Sequence, residues 1–196
     1  MNNLTDEILK KYAKMAAEAF MEDPVYKYVA KKEKTREKVI YHRILSRLYI
    51  SRETDLFYFD EEGHGLLVLR HIKDEYKPEQ FMKVPNYKEM FFVIPHMIKF
   101  SGVTDHFDNK KYMDDNTYIV SPIFVEKGYQ GQGIGMKLLE RAKKDMAEKG
   151  CKLGLDTQNP ANVPFYEKAG FKVVKHEFYE KEKVDNYYMV WENNKP

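Results

Sequence analysis

The chain has 196 residues, and Lys+Arg 33 against Asp+Glu 31 leaves a net charge of only +2. That length suits one domain with a sizeable core, and the balanced charge excludes a broad nucleic-acid footprint, so any basic patch must be local. The single cysteine, Cys151, excludes a disulfide framework or a cysteine-rich zinc site within one chain. No stretch reaches the ~20 apolar residues of a spanning helix, and the N-terminus MNNLTDEILKK lacks a signal pattern. We expect a soluble, cytoplasmic chain with no nucleic-acid, membrane or metal partner.

From Thr5 onward, Ile8, Leu9, Tyr12, Met15, Ala16 and Ala19 recur at helical spacing. Thr5 is placed as an N-cap, with Asp6 and Glu7 suited to the first turn. This helix is predicted to end near Asp23 and Pro24. A second amphipathic pattern covers 35–52, with Val39, Ile40, Ile44, Leu45, Leu48 and Tyr49 on one face. Two aromatic and aliphatic runs, 56–60 and 65–70, flank a glycine-bearing turn and predict a hairpin. Between 78 and 113 the pattern turns irregular, with Phe81, Tyr87, Phe91, Phe92, Phe100, Phe107 and Tyr112 broken by Pro85, Pro95 and Gly102, and short helices are expected. Most of these rings should build core, with one or two at a pocket.

Residues 117–125 read as a strand, in which Pro122 lacks a ladder donor and predicts a bulge or a place where neighbouring strands part. A helix to about residue 149 follows, with Ile134, Leu138, Ala142 and Met146 four apart. Then come a strand over 151–157, a short helix over 162–169, and strands over 171–180 and 187–192. The sum is an α/β (α+β) sandwich around a mixed sheet, a single domain carrying an aromatic helical insert.

Gly131, Gly133 and Gly135 lie at a strand-to-helix junction. The first turn of a helix leaves N–H groups without intrahelical acceptors, and glycine lets an anion approach them. The order Gly-x-Gly-x-Gly fits neither the dinucleotide fingerprint nor a nucleotide P-loop. A phosphorylated cofactor of another kind is the economical reading.

Gln130-Gly131-Gln132-Gly133-Ile134-Gly135 resembles the Gln/Arg-x-x-Gly-x-Gly/Ala motif of the GCN5-related N-acetyltransferase (GNAT) family. Asn159-Pro160-Ala161-Asn162-Val163-Pro164-Phe165-Tyr166, continuing to Gly170-Phe171, is similar to that family's second signature. The two together with the preceding strand cover about 118–174. With Ala19-Phe20 and Asp23-Pro24 near the start, the pattern is most similar to the branch that includes puromycin N-acetyltransferase.

The resemblance implies the GNAT fold and acetyl-CoA as co-substrate. It places the cofactor on Ile123, Phe124 and Val125, on Gln130, Gly131, Gln132, Gly133, Ile134, Gly135 and Met136, and on Asn159, Asn162, Phe165 and Tyr166. Tyr166 is thereby the acid that protonates the leaving thiolate, and the strand at 123–125 lends main-chain groups to the pantetheine arm. Asn159 steadies that arm or the helix that carries Tyr166, or forms a turn, and Asn162 caps the short helix first and touches cofactor second. Lys127, Lys143 and Lys144 are candidates for the 3′-phosphate.

The acceptor implied is the primary amine of a small molecule. Alkyl amines have a pKa of about 10.4, so a base or a water chain must take the proton. Many relatives carry a Glu at the position matching Ser121, and serine cannot do that work unaided. Asp105, His106, Glu62, or a water held by Tyr118 and Ser121 are the candidates. A non-catalytic acyl-CoA-binding module and a protein-lysine acetyltransferase stay open as other readings, as does a homodimer. The expected division is an acceptor-side half at 5–113 and a cofactor-side half at 117–192.

Overall fold

A computed structural model describes residues 4–75, 80, 84, 91 and 93–193. Helix α1 spans Asp6–Ala19, and the Thr5 hydroxyl accepts from the Ile8 N–H at 3.4 Å. It stops short of the expected end, because Asp23 opens a separate helix, α2, over Pro24–Val29. Asp23 Oδ1 accepts from the N–H groups of Val25 at 3.0 Å and Tyr26 at 3.1 Å. Pro24 sits where its missing N–H costs nothing. Helix α3 follows over Glu33–Ser51, within two residues of its predicted span.

The hairpin is β1, Leu56–Phe59, and β2, Gly65–His71. Helix α4, Ile94–Thr104, and a 3-10 turn at Asn109–Lys111 are short helices of the kind expected in the insert. Phe100 is buried there and Phe91 is 74% exposed, whereas Phe81, Tyr87 and Phe92 lie outside the described residues. Strand β3 is Thr117–Val125, helix α5 Ile134–Glu148, strand β4 Lys152–Thr157 and helix α6 Val163–Lys168. Strands β5, Lys172–Tyr179, and β6, Val184–Trp191, close the chain.

The six strands form one mixed sheet in the order β1-β2-β3-β4-β6-β5. Strands β3 and β4 run parallel and the other neighbours antiparallel. Alternation along β2 explains the layers. Leu66 and Val68 pack under α1, α2 and α3, while Leu67 and Leu69 pack against Leu138, Leu139, Ala142 and Met146 of α5. Helices therefore cover both faces, which is why β2 is apolar without alternation.

Strand β3 holds β4 only from Thr117↔Lys152 to Ile119↔Gly154, while β4 goes on pairing with β6 as far as Thr157. Beyond Ile119 the two strands part. The β2–β3 register also shifts between Leu67 and Leu69, opposite the stretch that contains Pro122, as its missing donor predicts. The gap between the parted strands is where the site forms.

A close contact fixes α5 over the sheet. A Cβ on Gly65 would stand 2.7 Å from Ile134 Cγ2 and 3.1 Å from Leu138 Cδ1. Ile134 is β-branched and stiff, so the crowding cannot relax cheaply. We expect Gly65→Ala to lower unfolding free energy by about 1–3 kcal/mol, measured by urea denaturation.

Candidate active site

Two cavities meet in the gap. The larger, about 630 Å³, is walled by the end of β3, the glycine turn and α6, and the smaller, about 320 Å³, runs under α2, α3 and β4. Phe20, Asp23, Ile123, Asn162 and Tyr166 line both and mark their junction.

The glycine turn forms the mouth of the larger cavity. Gly131 and Gly133 have φ of +79° and +83°, a region that favours glycine. Gly133 stands at the N-cap of α5, and no side chain caps that helix end. A Cβ at either glycine would meet no atom within 4 Å, so both face open space. Gly135 differs, since a Cβ there would press on Phe165 at 3.2 Å. An uncapped helix start with bare backbone facing a cavity fits a diphosphate.

Of the residues that the sequence placed on cofactor, Ile123, Phe124, Val125, Gln130, Gly131, Gly133, Ile134, Gly135, Met136, Asn159, Asn162, Phe165 and Tyr166 line this cavity. Gln132 does not; its amide donates to the Gly128 carbonyl at 3.4 Å. Gln130 donates to the Val125 carbonyl at 3.1 Å, tying the turn to the end of β3. The Asn159 side chain accepts from the Ala161 N–H at 3.1 Å, so it shapes the turn while lining the cavity.

Asn162 requires a correction. It occupies the N-cap position of α6, but its side chain makes no capping bond and donates instead to Thr157 Oγ1 at 3.3 Å, bracing α6 against β4. Lys143 is also otherwise engaged, donating to the Ala169 carbonyl at 2.9 Å and to Glu140 at 2.7 Å. Neither it nor Lys127 and Lys144 lines the cavity, where Lys168 is the lysine present.

Tyr166 is 8% exposed, with its ring 5.1 Å from Phe165 and 6.0 Å from Phe171. Burial, and then the charge of Asp156, push its hydroxyl above the ordinary tyrosine range, so it stays protonated at neutral pH.

The smaller cavity carries groups that sequence reasoning missed. Burial pushes the Asp23 carboxyl up to about 6, against the pull of the Tyr26 and Val25 N–H groups and of Arg43. Asp156 on β4 is also raised by burial, although Asn109 Nδ2 at 2.9 Å and Gln158 Nε2 at 2.7 Å both donate to it. The candidate bases named from sequence lie elsewhere. Asp105 caps the end of α4, the His106 carbonyl accepts from the Tyr179 hydroxyl at 3.1 Å, and Glu62 stands 4.0 Å from His64 in the hairpin turn. Tyr118 packs on His71 at 4.9 Å and lines neither cavity. Ser121 does line the smaller cavity, with its carbonyl accepting from Arg47 at 3.3 Å.

Comparison with known proteins bears on the family and the fold. A family model described as Acetyltransferase (GNAT) domain matches residues 70–192. Among solved structures, PaiA N-acetyltransferase from Thermoplasma acidophilum, in complex with coenzyme A, aligns with a TM-score of 0.54 at 19% identity, over 98% of this chain and 97% of that one. IAA acetyltransferase from Bacillus cereus aligns at 21% identity and a TM-score of 0.44, over 72% of this chain and 79% of that one. The ribosomal-protein-S18-alanine N-acetyltransferase from Escherichia coli aligns at 24% identity and a TM-score of 0.37, over 41% of this chain, which spans 57% of that one. No curated protein sequence matches the chain. With a family match over more than half its length, a mixed sheet that parts beside an uncapped glycine turn, and helices on both faces, the chain belongs to the GNAT family of acetyl-CoA-dependent N-acetyltransferases.

Proposed function

We propose that the protein transfers the acetyl group of acetyl-CoA to the primary amine of a small molecule. The observation that carries this reading is the junction of the two cavities: one fits a diphosphate at its glycine mouth, and the other, of about 320 Å³, has the size of a small ligand site. Residues 117–192 supply the glycine turn and α6 to the larger cavity, and both halves wall the smaller one, α2, α3 and α4 from 5–113 and β3 and β4 from 117–192.

In this reading the backbone amides from Gly131 to Met136 hold the diphosphate, and the parted end of β3, at 123–125, offers main-chain groups to the pantetheine arm. Asp23 takes the proton that the attacking nitrogen sheds as it becomes cationic, and Tyr166 gives a proton to the departing thiolate. The Ala19-Phe20 and Asp23-Pro24 pattern is the ground for a place near the puromycin N-acetyltransferase-like branch, and Phe20 and Asp23 both stand at the junction. A binding module without turnover would have no need of these two groups of opposite proton role at one point.

Two measurements test the proposal. Calorimetry should detect coenzyme A binding, weakened in Gly133→Val by about tenfold or more, or about 1.4 kcal/mol. Valine there would project into the open space before α5 and resist the left-handed backbone. A thiol-release assay with primary amines should show turnover; binding without turnover on any amine favours the module, and turnover confined to peptides favours protein acetylation.

A further inference from the structure

We infer that the acceptor carries an anionic group beside its amine, as a free amino acid does, and that the smaller cavity binds it with the amine toward Asp23 and Tyr166 and the anion toward Arg43 and Arg70. This rests on the acetyltransfer reading above. All four of those residues line the smaller cavity, and only Asp23 and Tyr166 among them also reach the larger one. Asp23 therefore stands at the cofactor end, while Arg43, Arg70 and the Asp156 carboxylate line the smaller cavity alone.

The electrostatic couplings tie Arg43 to both carboxylates of the cavity. Asp23 and Asp156 feel one another and Arg43, and Tyr166 feels Asp156. Farther from the junction, Arg47 holds Asp55 at 3.0 Å and is lowered to about 10, by burial first and, against the pull of Asp55, by Arg70 and Arg43. Arg47 thus feels two further guanidinium groups, Arg70 and Arg43, and an anion entering the cavity beside those two would relieve the repulsion.

Arg43 is set up for this task. Its guanidinium lies over the Phe100 ring, 3.7 Å from the centroid, which fixes its plane. Its buried Nε has no hydrogen-bond partner among the described residues. A planar fork held in place is the group that carboxylate recognition uses. Phe20, Tyr26, Phe100 and Phe107 add aromatic walls to the same cavity, so an amino acid with an apolar side chain fits better than a simple alkyl amine.

A matched series tests the charge requirement. Phenylalanine, phenylalaninamide and phenethylamine share the amine and the ring and differ in the carboxylate, and 2-aminoethylphosphonate and β-alanine extend the anionic set. With acetyl-CoA and a thiol-release readout, kcat/KM for phenylalanine should exceed those of its amide and amine by about tenfold or more. Arg43→Gln and, as an independent variant, Arg70→Gln should each collapse that ratio while calorimetry finds coenzyme A affinity unchanged. Equal or better turnover of the uncharged members, a ratio untouched in both folded variants, or no turnover of any anionic member by protein that binds coenzyme A overturns the inference. Failure to bind coenzyme A at all overturns instead the reading on which it rests.

Discussion

Tyr166→Phe is expected to lower kcat by about 10²–10⁴-fold, the range for loss of a general acid, with little change in coenzyme A affinity. The substitution removes one hydroxyl and leaves the ring where it packs, between Phe165 and Phe171. Its stability cost should therefore stay below about 1 kcal/mol. Burial keeps the Tyr166 proton in place throughout the neutral range, so the wild-type pH profile should show no descending limb from this group near pH 7–8. Thiol release with saturating acetyl-CoA, alongside calorimetry on both proteins, checks it. A kcat within threefold of wild type would remove Tyr166 from proton transfer and leave it a wall of the junction.

What the sequence revealed and what it hid divide along local and distant causes. Helix α1, the hairpin, β3 and the glycine turn rest on neighbouring residues: an N-cap hydroxyl, an apolar period, a proline without a donor, glycines at positive φ. Each could be read within a window of a dozen residues. Helix α2 escaped because its span, Pro24–Val29, is too short to show a period, and its start looked like the end of α1. Asp23, the proposed base, escaped for a different reason. His106 and Glu62 are attractive by residue type, yet the fold turns one toward Tyr179 and the other toward solvent beside His64. Asp23 looked like punctuation before a proline. Its desolvation, and its coupling to Arg43 and Asp156, come from α3 and β4 and exist only once the sheet is assembled. Lys143 shows the converse, since a lysine beside a phosphate motif is drawn away by the Ala169 carbonyl at the end of α6.

Asp23→Asn should separate a capping role from a catalytic one, because asparagine caps a helix as well as aspartate does. Its Oδ1 can still accept from the Val25 and Tyr26 N–H groups, so α2 should persist. A base is lost nonetheless, and kcat/KM for the amine should fall by about 10²–10⁴-fold. In the wild type, kcat/KM should rise with pH through about 6, where the Asp23 carboxyl ionises. Arg43 from α3, Asp156 from β4, and Tyr26 and Tyr166 from α2 and α6 all line the same cavity with it. Of these, Arg43 favours the ionised form and Asp156 opposes it, so the inflection should move up in Arg43→Gln. The amine's own titration, at about 10.4, adds a later rise common to every variant. Stability should move opposite to activity. The folded carboxyl titrates near 6 against an ordinary 3.8, so between those values the unfolded chain ionises first and wild-type stability falls as pH rises, then levels off. An asparagine side chain has no proton to lose, and the Asp23→Asn variant should therefore be more stable than wild type at pH 7, by an amount on the order of 1–3 kcal/mol, and nearly equal to it below about pH 4. Denaturation curves at the two ends of that range, run beside the rate assay, decide the matter. A residue present only to cap α2 would leave turnover unchanged whatever its effect on stability, whereas a desolvated base gains stability and loses turnover in the same substitution.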